Sequence, residues 1–221
     1  LSYSFATDNF GLMIVALNSH NKAPIIYKLV ASWGNHEGSL LLISLIISFY
    51  INAQYFLSRT PNSYREAATR LGCWLGLMLL VYSFVLANPF VLSPNWVARG
   101  MGLNPSLEDV GLIIHPPILY LGFFGSLVSF IYTQTLARKG LIENWAGFLI
   151  PWVRHSLMWL TLGIALGSWW AYRELGWGGF WFWDPVENIA LMPWLASLMM
   201  LHFLLLAKRY PDNKLSFLCF A

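Results

Sequence analysis

Charge is what this sequence has least of: Asp, Glu, Lys and Arg make up 10% of its 221 residues, against roughly 25% in a soluble domain. Too few charged side chains remain to keep a folded surface of this size in water. The 57% hydrophobic content excludes a disordered chain. A net charge of +3 is too small to recruit an acidic partner, and a nucleic-acid binder that relies on phosphate contacts is excluded with it. Cysteine is nearly absent. Cys73 and Cys219, both within apolar runs, make neither a disulfide framework nor a metal cluster. No CxxC, HExxH, phosphate loop or Ser-His-Asp arrangement is recognisable, so the chain lacks the usual hydrolytic and redox-thiol motifs. What it has in excess is the indole ring: 12 Trp, within 17% aromatic residues.

Crossing a hydrocarbon core of ~30 Å takes about 20 apolar residues in a helix. Five stretches are read as spans, at 38–58, 71–93, 111–137, 155–172 and 189–207. The first 37 residues are mixed in polarity and are read as an outside segment. The expected fold is all-α, a polytopic transmembrane helical bundle forming one membrane domain with an outward-facing Trp-rich loop. Because the sequence opens at Leu1 and closes inside an apolar stretch, it is read as a segment of a longer or split protein. Alternating the spans divides the 13 Lys and Arg into nine and four. Arg59, Arg65, Arg70, Arg138, Lys139, Arg154, Lys208, Arg209 and Lys214 fall on one side; Lys22, Lys28, Arg99 and Arg173 fall on the other. The richer side is expected in the bacterial cytoplasm or mitochondrial matrix, which puts the Trp loop on the periplasmic or intermembrane-space side.

That loop, residues 167–188, reads GSWWAYRELGWGGFWFWDPVEN. It holds Trp169, Trp170, Trp177, Trp181 and Trp183, with Tyr172, Phe180 and Phe182 among them. An interfacial belt normally places single amphipathic rings at helix ends. Eight rings interleaved with glycines form a shaped, polarisable face instead. A large planar apolar ligand is what such a face fits, and the belt is the competing reading.

The stretch resembles the WWD signature of haem-handling membrane proteins. In the form WGGFWFWDPVEN it is similar to the CcmF branch, the haem lyases of cytochrome c maturation. The blocks WGNHEGSLLL, ANPF, LNPSLEDVGLIIHPPILYLGF and LGIALGSWWAYRELGWGG follow in the order usual for that branch. Departures are Asn35 where Gly is usual, Arg173 beside the Trp pair, and Phe180 where Trp is common. The resemblance implies a membrane component of cytochrome c-type biogenesis that joins haem to the CxxCH cysteines of apocytochrome c through thioether bonds. It implies a transient haem b on the WWD platform and a second, embedded haem b. It implies as partners apocytochrome c, the haem chaperone maturation protein E, maturation protein H or an equivalent thiol partner, and a second chain where the protein is split. Two alternatives stand: a haem carrier without a bond-forming role, and the sister lyase specific for nitrite reductase.

Five histidines are candidates for iron, which takes an imidazole axially in haem. His115 precedes Pro116 and Pro117, residues that fit a first helical turn; this places it at the outer surface, level with the Trp loop. The resemblance implies an axial ligand to the platform haem, with the second ligand beyond Ala221. His202 is expected ~18 Å into its helix, where an ionisable side chain is a functional candidate. On the residues alone it either ligates or hydrogen-bonds a neighbouring helix; the resemblance implies a ligand to the embedded haem. Trp169, Trp170, Trp177, Trp181, Trp183 and Asp184 are expected to contact haem, though Asp184 fits a helix cap first. His36 is read as hydrogen-bonding near the platform, His20 as solvated and His155 as structural. No catalytic residue for thioether formation is assigned.

Overall fold

The structure is a computed structural model, and it describes residues 1–94, 97–174, 176 and 179–210. Among these residues it is all-helical, without a strand. Three short helices come first: α1 (Ser2–Ala6), α2 (Met13–Asn18) and α3 (Ile25–Ala31). They close over Phe5, Leu12, Ile14, Val15 and Ala31, and the Lys28 ammonium reaches the Asp8 carboxylate at 2.6 Å. Five long helices follow: α4 (His36–Leu57), α5 (Asn62–Leu86), α6 (Val110–Lys139), α7 (Trp145–Glu174) and α8 (Pro185–Arg209). All five are long and apolar enough to cross a membrane. Large apolar side chains face outward along them, such as Leu77, Phe84, Met192 and Met199. A helix in lipid satisfies its own backbone, so such a surface is stable there.

Local chemistry sets the helix ends. The side chains of Asn35, Asp109 and Asp184 accept from the first-turn N–H groups of Gly38, Gly111 and Glu187, each satisfying a donor that has no partner within its helix. Arg138 and Lys139 end α6, and Lys208 and Arg209 end α8, where cations meet the negative end of the macrodipole. Gly140, at φ 94°, stops α6 in a conformation that suits glycine.

Several helices outrun their apolar runs. α7 begins at Trp145, ten residues before the expected span, and α5 at Asn62, nine before. Helix propensity continues into the headgroup region, where hydropathy no longer reports it. One consequence is a correction. α6 starts at Val110, so Pro116 and Pro117 lie inside the helix rather than in its first turn. Proline at 116 removes the donor that would have bonded the Leu112 carbonyl. That carbonyl instead accepts the Trp33 indole N–H at 3.2 Å, which docks the WGNHEGS block onto α6.

The core lies where α6 and α7 run close together. A Cβ on Gly122 would lie 2.4 Å from the Leu160 backbone nitrogen, and one on Gly163 would lie 2.8 Å from Leu119 Cα. Small residues at such crossings let helices approach in a membrane. The Ser156 hydroxyl donates to the Gly122 carbonyl at 2.6 Å across the same seam. Tyr50 of α4 donates to the Leu121 carbonyl at 2.7 Å. Its one proton is thereby used, so at 2.9 Å it accepts from His155 Nε2. Further along, the Tyr132 hydroxyl bonds Gln54 and Ser58, which pairs a buried polar group of α6 with α4.

Candidate functional site

His115 sits one turn and a half into α6, against α7. Its Nδ1 lies 2.8 Å from the Gly163 carbonyl oxygen. A carbonyl only accepts, so Nδ1 carries the proton, and in the neutral ring Nε2 holds a free lone pair. The ring lies over Gly167, where a Cβ would come within 2.5 Å of Cε1. One helical turn away the fit is reciprocal, with the Trp170 ring lying on Gly111 at a place where a Cβ would sit 2.3 Å from Cγ. The two rings are 5.9 Å apart between centroids. Glycines at 163 and 167, in the LGIALGSWW block, thus seat the imidazole and fix its tautomer. A histidine held this way is prepared for a metal, because the partner of the distal nitrogen sets ring orientation.

His115 and Trp170 stand between two clefts. The larger, of about 610 Å³, is lined mainly by apolar side chains such as Trp33, Leu119, Phe123 and Phe124, with Asn35, His36 and Ser39 among them. The smaller, of about 290 Å³, lies beneath the Trp loop and includes Trp181, Asp184 and Glu187. Of the residues expected at the site, His115, Trp170, Trp181 and Asp184 are therefore together.

The others are placed differently. Trp169 points away from the clefts; the Arg173 guanidinium stacks on it at 4.6 Å and pairs with Asp109 at 2.8 Å. Asp109, which also caps α6, thus ties the start of α6 to the end of α7. Trp183 is 68% exposed, packs edge-on against Trp181 at 5.8 Å and has a left-handed backbone, φ 59°, a conformation costly for a bulky residue. Trp177 lies outside the described residues. His202 is exposed on the side of α8, with Nδ1 donating to the Leu198 carbonyl at 2.8 Å; its Nε2 is free in the neutral ring. The two histidines belong to separate regions of the molecule.

Trp33 and the glycines of the seam were not among the residues expected at the site. The spacing of Gly163 and Gly167 was visible, but an i, i+4 pair of glycines says only that one face of a helix is open.

The family model for the cytochrome c assembly protein matches residues 33–220. The chain belongs to that family. Within it, the relatives are cytochrome c-type biogenesis proteins of the CcmF type. The chain is 44% identical over 91% of its length to cytochrome c-type biogenesis protein ccl1 of Rhodobacter capsulatus, covering 31% of that protein. Haemophilus influenzae carries two relatives, CcmF and NrfE, and the chain is 44% identical to each, covering 32% and 33% of their lengths. The solved structure of cytochrome c haem lyase CcmF superposes with a TM-score of 0.81 at 27% identity, over the full length of this chain and 36% of that one. The chain thus spans about a third of the proteins it matches. Family and structure agree on an integral membrane protein of cytochrome c biogenesis.

Proposed function

We propose that this chain is the haem-holding membrane part of a haem lyase that attaches haem to the CxxCH cysteines of apocytochrome c. The observation that carries the reading is His115: a neutral imidazole whose Nδ1–H is fixed by Gly163, leaving Nε2 without that bond on a residue that lines two clefts. The larger cleft, with Trp170 and Trp33 on its walls, receives the haem that is to be attached. The reaction adds S–H across each vinyl group, sulfur to the carbon next to the ring and hydrogen to the terminal carbon. No net oxidation occurs. This chain's contribution is positioning, which converts a bimolecular encounter into an oriented one. The maturation proteins E and H supply haem and free thiols in this reading, and a second chain completes the protein where it is split.

The test uses the full-length protein with its partners and a CxxCH peptide. Haem that stays on the peptide after denaturation supports a lyase; a peptide that never retains haem leaves a carrier. The equal identity to CcmF and NrfE of one organism favours a second substrate arm, in which the peptide is the haem-attachment segment of nitrite reductase.

His202 is the proposed ligand of a resident haem b. The free Nε2 on an exposed helix face fits axial ligation. Such a haem would supply electrons that keep the iron of the outer haem reduced. His202→Ala is expected to remove the b-type absorbance of the purified protein, with partial return on adding imidazole; an unaltered spectrum assigns the b haem elsewhere.

The Trp loop is proposed to face the periplasm or intermembrane space, on the nine-to-four division of Lys and Arg. With Cys73 and Cys219 replaced by Ser, cysteine at the exposed Phe180 should react with an impermeant maleimide added from outside. Labelling only after permeabilisation inverts the topology.

A further inference from the structure

A third cavity, of about 640 Å³, lies toward the opposite end of the bundle from His115, between the α4–α5 connection and the turn into α7. Hydropathy fixes its depth. The first apolar run ends at Ser58 and the fourth opens at His155, so the cavity occupies the zone where headgroups meet hydrocarbon, on the face that holds most of the Lys and Arg. Its walls nevertheless include Leu57, Phe148 and Trp152. A molecule that matches such a wall at such a depth is itself part polar and part apolar.

The charged groups on the wall are Arg59 and Glu143, one from each connection. Both are exposed, and among the described residues neither makes an ion pair, with the other or with a third group. Each side carries its sign further. Helix α5 starts at Asn62, directly after Pro61, with no side chain capping it, so its positive end adds to the Arg59 side. On the Glu143 side, Pro151 has no N–H to give to the carbonyl of Gly147, which also lines the cavity. Opposite charges thus share one cavity without meeting, and their sum is zero. A purely anionic headgroup would leave Glu143 facing like charge. A zwitterion, with an anion at one end and a cation at the other, matches both sides.

We infer that this cavity holds the headgroup of an aminophospholipid. The phosphate lies toward Arg59 and the start of α5, and the ammonium toward Glu143 and the Gly147 carbonyl. A primary ammonium has three N–H donors for such acceptors; a trimethylammonium has none, and its methyl groups hold the charge away from a carboxylate. The acyl chains leave past Leu57, which is 71% exposed on α4, and past Phe148 and Trp152. The bound lipid bridges the α4–α5 and α6–α7 connections, and this holds whether or not the haem reading does.

The experiment is native mass spectrometry of the full-length protein, purified in detergent and titrated with phosphatidylethanolamine, phosphatidylcholine or phosphatidylglycerol of identical acyl chains. The wild type is expected to bind phosphatidylethanolamine about three- to tenfold more tightly than the other two, the worth of one charge-assisted contact at a partly exposed site. Glu143→Gln should erase the preference over phosphatidylcholine, while Arg59→Gln should weaken all three lipids by a similar factor. Arg154→Gln, exposed on the same face and not on the cavity wall, should bind phosphatidylethanolamine as the wild type does. A monodisperse size-exclusion profile verifies the fold of each variant. If a variant does not accumulate, the wild-type ranking of the three lipids decides. Tightest binding of phosphatidylglycerol would overturn the ammonium assignment. Equal binding of the three lipids, or undiminished phosphatidylethanolamine binding by the Arg59 and Glu143 variants, would overturn the site.

Discussion

His115→Ala is expected to abolish covalent cytochrome c formation while the protein accumulates normally and keeps its embedded b-type spectrum. Outer-shell partners of a metal ligand already contribute ~10–100-fold when removed, so loss of the ligand itself should reduce yield by at least that factor. The fold should survive because the imidazole is only half-buried and lies over a glycine. Removing it opens space beside Gly167 without leaving a charge unpaired. The one hydrogen bond lost, to the Gly163 carbonyl, contributes about 1 kcal/mol. The measurement is haem-stained cytochrome from cells carrying the variant, beside the reduced-minus-oxidised spectrum of the purified protein. Full cytochrome yield would remove His115 from the reaction. Joint loss of the b haem would make its role structural.

Gly122→Leu should prevent the protein from accumulating in the membrane at all. Ordinary overpacking costs ~1–3 kcal/mol because side chains can move aside. Here the new Cβ would meet backbone, 2.4 Å from the Leu160 nitrogen and 2.8 Å from its Cα, and no rotamer relieves that. α6 and α7 would have to separate, breaking the Ser156 bond and unseating His115 from Gly163. Gly76→Ala on α5 is the control, since its Cβ would make ordinary contacts at 3.5 and 3.6 Å. Membrane levels and a size-exclusion profile read the result. A monodisperse Gly122→Leu protein at wild-type level would mean that the two helices tolerate a wider spacing.

Where the elements lie was largely legible from the sequence. Five apolar runs each became a long helix, because hydrophobic length is a local property that the membrane reads directly. The family was legible from blocks such as WGGFWFWDPVEN, and the matched residues agree. Helix starts were read less well. Tyr64, Arg65 and Trp145 belong to helices, yet their segments are too polar or too mixed to signal a span.

The Trp loop shows the boundary between sequence and tertiary structure most clearly. Composition established that many rings lie within a few residues of one another, and that Asp184 stands where a helix could begin. It did not sort those rings. Trp169 went to Arg173, Trp170 to the partition between two clefts, and Trp183 to the exposed surface. Likewise the sequence alone placed a histidine before two prolines, and tertiary structure decided which of its nitrogens is free. That choice depends on a carbonyl 48 residues away, brought into reach by glycines that let α6 and α7 touch. Hydropathy and spacing act within one helix. Tautomer, ring seating and cleft chemistry arise from the register between helices, which no single segment encodes.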